Sequence, residues 1–195
     1  MKNWLLTFGG NPARAAAIDA DLVRRYGEPH RRYHTREHVR DLLALLGDDD
    51  WTLVAAAWFH DAIYDTHRND NEALSAELAR GALTELRFPD VETVVQIILA
   101  TAKHDGTDLS ATGLLFLDAD LSILGAPPAR YREYAAQIRE EYAWVPEPQF
   151  REGRRAILER FLTRPRLYFT DAMRAQFEEQ ARANLREEIA TLLKT

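Results

Sequence analysis

The chain has 195 residues, enough for one domain with a full hydrophobic core. Hydrophobic residues make up 46% and charged residues 29%, and the formal net charge of −6 argues against a general nucleic-acid-coating role. There are no cysteines, which removes disulfides, thiolate metal sites and cysteine nucleophiles together and fits a cytoplasmic location. No apolar run approaches the ~20 residues needed to cross a bilayer. The run Met1 to Gly10 is too short and too quickly broken to read as a secretory signal. A small anionic substrate stays compatible with the negative charge, because a local metal outweighs a diffuse surface charge.

Taken in chain order, the pattern is nearly all helical. Asn11-Pro12 is a start signal for a helix running to about Arg25 and stopping near Gly27 and Pro29. A second helix is expected from about Thr35 to just before Gly47, with Leu42, Leu43, Leu45 and Leu46 as its apolar face. Asp50 is placed to cap a third, Trp51 to Ile63, which is apolar nearly all round and so central to the core. Asp70 to Leu86 reads as an amphipathic fourth helix, and Pro89 to Lys103 as a fifth. The β-branched residues within Val94 to Leu99 would also suit a strand, but length favours helix. Leu114 to Leu124, Pro128 to Tyr142, Gln149 to Leu162 and Thr170 to Leu193 complete the series. The connections are short, and no repeat or low-complexity linker interrupts them. The expectation is one all-α domain over residues 1–195.

The residues that carry chemistry fall in a definite order. His34 and His38 are four apart, which on a helix places them on one face. His60-Asp61 ends the apolar run Trp51 to Phe59, and Asp118 and Asp120 follow Leu114 to Leu117. Each feature alone has a plainer explanation: a surface or core histidine pair, a histidine at a helix C-terminus, a carboxylate used as a cap. A carboxylate carried into an apolar frame is costly unless partnered, however, and a bound cation offsets that cost. The whole order His, His, His-Asp, Asp reads as a metal site.

This order resembles the HD superfamily of metal-dependent phosphohydrolases, helical proteins whose ligands follow the order His, His-Asp, Asp. The 22 residues from His38 to His60 suit that family's helical layout. The resemblance covers most of the chain and is nearest to the small stand-alone bacterial members, including later segments Glu141-Tyr142, Gly153-Arg154 and Ala181 to Leu185. The run Tyr33 to Leu42 is similar to a signature of cyclic-nucleotide phosphodiesterases, in which the first histidine is the general acid and the one four residues later a metal ligand. Ala119 to Ser122 resembles their ligand segment, which favours Asp120 over Asp118, and Ala100-Thr101 with Lys103-His104 is a weaker likeness. Thr35 departs from the asparagine of that signature, and Ala62 to Thr66 after His60-Asp61 lack the histidine that those enzymes use near a second metal. The run His60 to Thr66 is closer to stringent-response nucleotide hydrolases, with Tyr64 in place of a glutamate and Asp65 retained.

The resemblance implies an HD-type helical bundle that hydrolyses a phosphoester or phosphoanhydride in a small phosphorylated substrate, a nucleotide first of all. His38, His60, Asp61 and Asp120 would hold one divalent ion, with a second left open. Asp61 would orient or deprotonate the water, and His34 would protonate the leaving oxygen. Two histidines with two carboxylates suit Mn²⁺, Fe²⁺, Co²⁺ or Zn²⁺ better than a Mg²⁺ site made only of oxygen ligands. Arg36, Lys103, Arg154 and Arg155 are candidate phosphate partners, with His104, Asp65, Asn71 and Asp118 nearby in the reading. Tyr64, Trp58 and Trp144 are read first as packing residues and second as base-stacking ones, and His30 and His67 as surface residues. No stable nucleic-acid complex and no membrane partner are expected, and a homodimer stays open. Two other classes also stay open: a nucleotide sensor without turnover, and a di-iron oxygenase drawing further ligands from His67 and His104.

Overall fold

Capping side chains decide where several helices begin. The Asn11 side chain accepts from the Ala13 and Arg14 N–H groups at 2.9 and 3.4 Å, and Pro12 opens α1 (Pro12–Arg25). Thr35 caps α2 (Arg36–Leu46), and Gly47, at φ +79°, ends it in a conformation that disfavours residues with a Cβ. Asp50 caps α3 (Trp51–Phe59) through Thr52 and Leu53 N–H. Asp90 caps α5 (Val91–Thr101) through Thr93 N–H, so the β-branched run is helical. The remaining elements are a short 3-10 turn Trp4–Phe8, α4 (Asn71–Glu85), α6 (Ala111–Asp120), a 3-10 turn Leu121–Gly125, α7 (Pro128–Glu141), α8 (Glu147–Leu162) and α9 (Asp171–Leu192). This computed structural model describes residues 4–8 and 10–194, and among them there is no strand. The N-terminal run weighed as a secretory signal lies partly outside the described residues. The all-α expectation holds, and among the described residues no helix is long and apolar enough to cross a membrane.

Two boundaries differ from the expected ones. The third helix stops at Phe59 instead of Ile63, because the Ala62 N–H turns back to Phe59 O at 3.1 Å and the Ile63 N–H goes to Ser75 Oγ at 3.0 Å. The expected Leu114 to Leu124 helix is α-helical only to Asp120 and tightens into the 3-10 turn beyond it.

The chain falls into two compact units, residues 1–117 and 118–195. In the first unit α3 is the hub, packed on α2, α4 and α5. Every residue from Leu53 to Phe59 is buried. Burying each large side chain there contributes about 1.5–3 kcal/mol. In the second unit α9 packs on α8 and on the turn Leu121–Gly125. Gly125 is required at that contact: a Cβ would stand 2.6 Å from the Cβ of Phe177 and 2.7 Å from its carbonyl oxygen. Asn184, buried on α9, donates to the carbonyls of Leu124 and Ala126 at 2.8 and 2.9 Å.

The second unit also buries a charged pair. Arg154 grips Glu188 through two N–H groups at 2.8 and 3.2 Å, and the Tyr131 hydroxyl donates to the same carboxylate. Burial, with the Glu188 carboxylate beside it, pushes the Tyr131 hydroxyl well above the ordinary phenol range, so it stays a donor. Arg154 is therefore a structural partner of Glu188, a correction to its reading as a phosphate ligand. Arg155 lies near the surface beside Glu159 at 3.3 Å. Removing one member of a buried pair strands the other, at a cost of about 3–5 kcal/mol. Glu188→Ala is expected to lose about that much stability in urea unfolding, whereas Glu187→Ala, whose partner Arg132 is exposed, should unfold almost as the parent does. Equal, small effects would show that the buried pair does not hold α8 to α9.

Candidate metal centre

The end of α3 brings its histidine inward. The His60 N–H makes the last helical bond, to Ala56 O at 2.9 Å. The His60 ring then folds back, and Nδ1 lies 3.0 Å from Ala57 O. A carbonyl only accepts, so Nδ1 carries the hydrogen, and in the neutral ring Nε2 is a bare lone pair. That nitrogen faces His38 Nε2 at 3.1 Å and Asp61 Oδ2 at 3.0 Å. His38 Nε2 and Asp61 Oδ2 are 3.9 Å apart. His38 reaches this point from the first turn of α2 and is buried.

Two ring nitrogens and a carboxylate oxygen thus face one another. Close approach of such atoms calls for hydrogens between them, on His38 or His60 Nε2, or for a cation that all three can bind. Two donors each about 2.1 Å from one ion stand about 3.0 Å apart at a right angle and about 3.4 Å apart at the tetrahedral angle. The two short separations fit those spacings.

The electrostatics agree. Burial works against the Asp61 charge, but the facing His60 and then His34 outweigh it, with a hydrogen bond from His60 and the charge of His38 adding to them. The carboxyl is held well below the usual carboxylate range. Its side chain is 19% exposed, so one edge meets solvent.

Helix α6 contributes next. Its Phe116 ring packs edge-on to the His60 ring, centroids 5.6 Å apart, and Asp120 follows one helical turn later. One atom each of His38, His60 and Asp120 lie within 4.8 Å of one another, a group that can hold a metal ion. Among the described residues Asp61, expected as a ligand, and His67 and His104 are not in that group. Asp118 is two residues from Asp120, about 200° around the helix. It is fully buried and accepts from the N–H groups of Phe169 and Thr170 and from the Thr170 hydroxyl, each at 2.7 Å. Its expected place at the substrate is corrected: it satisfies the start of α9.

His34 lies in the turn before α2 rather than on its face, so the shared-face expectation for His34 and His38 is corrected. The rings still meet, 6.0 Å apart at 78°, and the His34 ring stacks on Tyr64 at 4.2 Å. Tyr64 is therefore engaged and is no open shelf for a base. His30 is exposed, as expected of a surface residue, and its Nε2–H donates to Tyr64 O at 2.7 Å.

Arg31 was missed by sequence reasoning. Its side chain is 0% exposed. It donates to the carbonyls of His34, Asp61 and Ala62 at 3.1, 2.8 and 3.2 Å, and twice to Glu28 Oε2 at 3.1 Å. Helix α4 pins the other side of the His60-Asp61 turn. The Ser75 hydroxyl bonds both the N–H and the carbonyl of Ile63, and the Asn71 amide does the same for Asp65. The Asp65 carboxylate closes its own turn onto His67 N–H at 2.9 Å.

The other expected substrate residues are spread more widely. Arg36 is exposed at the first position of α2. Lys103 is exposed and His104 half-buried, at φ +46°, in the turn after α5. Trp58 is in the core, and Trp144 is half exposed on the second unit.

Comparison with protein-family models, with curated proteins and with solved structures finds no match to this chain.

An ion that binds only the folded chain stabilises it by about 2.7 kcal/mol at a hundredfold excess over Kd, roughly a 5–10 °C rise in melting temperature for a chain of this size. Metal-stripped protein is expected to show such a rise with Mn²⁺, Co²⁺ or Zn²⁺, and His60→Ala to abolish it while melting cooperatively. An equal rise in the variant would place metal binding elsewhere.

Proposed function

We propose that the chain is a metal-dependent phosphohydrolase of the HD type, acting on a small phosphorylated substrate, a nucleotide first of all. The observation that carries this reading is the convergence of His38, His60 and Asp61, with the His34 ring beside them. Two imidazoles and carboxylate oxygen favour Mn²⁺, Fe²⁺, Co²⁺ or Zn²⁺ over Mg²⁺. Asp120 joins the two histidines in a group that could hold the ion, and Asp61 Oδ2 stands 3.0 Å from His60 Nε2 beside it. When bound, such an ion supplies Lewis acidity: it offsets charge on the phosphate and makes a water acidic near neutral pH.

The side chains do the rest. The Asp61 carboxylate stays ionised, which suits it to accept a hydrogen bond from the attacking water and orient it more than to act as a strong base. Water oxygen bonds to phosphorus, the bond to the leaving oxygen breaks, and that oxygen takes the proton of His34. The water's own proton is lost to solvent. His34 suits the donor role because its ring packs beside His38 and lies close enough to feel the Asp61 charge. An anionic substrate is compatible with the chain's negative charge if the ion dominates locally.

Metal-stripped protein with Mn²⁺, Co²⁺ or Mg²⁺ restored is expected to turn over a nucleotide or related phosphate in a chromatographic screen. Asp61→Ala should abolish that turnover with helical circular dichroism retained, and His34→Ala should lower kcat about 10²–10⁴-fold. Full activity in Asp61→Ala would end the proposal.

A further inference from the structure

We infer, resting on the hydrolase reading, that Arg31 is a positioning residue that fixes the His34 ring against Asp61 and so governs proton delivery to the leaving group. Burying a guanidinium is costly, and the only carboxylate beside it among its hydrogen-bond partners, Glu28, offers a single oxygen to two of its N–H groups. An ion pair alone does not account for that burial. The other three N–H groups go to main-chain carbonyls on two turns remote in sequence: His34 before α2, and Asp61 and Ala62 after α3. All five donors are thus used. The planar fork suits this arrangement, and a lysine, with three donors radiating from one atom, does not span both turns at fixed angles.

Arg31 also holds His34 by a second route. The rings of Tyr26 and Tyr64 lie 5.1 and 5.3 Å from the guanidinium carbon. Tyr64 carries the His34 ring, stacked at 4.2 Å, and its own carbonyl is held by His30. The carbonyl of His34 and the shelf under its ring therefore depend on the same buried cation. The carbonyl of Asp61 depends on it too, so the two side chains are set relative to each other by contacts separate from any ion. A misplacement of about 1 Å in such a group costs on the order of a hundredfold in rate.

The test uses leaving groups that differ in their need for a proton. p-Nitrophenolate leaves without one, whereas the alkoxide of a nucleoside 5′-monophosphate needs one. Arg31→Lys is expected to keep metal affinity and KM within about threefold. It should lower kcat about 10–100-fold on the nucleotide and less than threefold on p-nitrophenyl phosphate. His34→Ala should show the same selectivity, and Arg31→Lys combined with His34→Ala should lose no more than His34→Ala alone. Equal losses on both esters, or additive losses in the double variant, would mean a merely structural arginine. If Arg31→Lys does not fold, Tyr64→Leu removes the shelf while leaving the five hydrogen bonds, and should reproduce the selectivity more weakly; a uniform loss overturns the proposal. If the parent protein cleaves neither ester, the hydrolase reading is what fails. Arg31 is then judged by histidine-ring NMR. Displaced His34 resonances with those of His67 unmoved support the inference, and unmoved His34 resonances overturn it.

Discussion

Everything around the candidate centre depends on one electrostatic constraint. Two ring nitrogens and a carboxylate oxygen are held 3.0–3.9 Å apart at a mostly buried place, and ring hydrogens or a cation have to stand between them. The bond from His60 Nδ1 to Ala57 O fixes which nitrogen faces inward, so in the neutral ring Nε2 is an acceptor that calls for a donor or a cation. A cation entering such a group would meet lone pairs already turned toward it, which is the physical sense in which the group could hold a metal ion.

The scaffold meets the constraint by ending one helix early. α3 is too apolar to be anywhere but the middle of its unit, and it carries His60 inward with it. Had the helix continued, His60 and Asp61 would have diverged by about 100°. Instead the chain turns, and the freed polar groups are taken up from both sides: carbonyls by Arg31, and the N–H and carbonyl of Ile63 by Ser75. The turn is held by hydrogen bonds at nearly every residue, and the side chains it presents inherit that definition.

Much of this was legible in the sequence, and the gaps have physical causes. The caps at Asn11, Thr35 and Asp50 and the burial of α3 follow from local rules, because capping and apolar periodicity are local. The end of α3 was not legible: Ala62 and Ile63 continue the apolar pattern, and what stops the helix lies at Ser75 and Arg31. Arg31 and Arg32 are adjacent and alike in sequence, yet only Arg31 is buried, because its partners are carbonyls about thirty residues away. Asp118 and Asp120 were both read as embedded carboxylates. Helix geometry sends them to different sides, and only long-range neighbours say which side holds the histidines: Phe116 packs on His60 and points to Asp120, while Asp118 meets the start of α9.

The central proposal is that a metal ion belongs on His38 and His60, with carboxylate oxygen from Asp120 or Asp61. The most direct test is a crystal of the full chain grown with Mn²⁺ or Co²⁺ and measured for anomalous scattering. The account predicts a peak about 2.0–2.2 Å from Nε2 of His38 and of His60, with carboxylate oxygen completing the shell. No peak there at saturating metal, with the two Nε2 atoms still in direct contact, would contradict it.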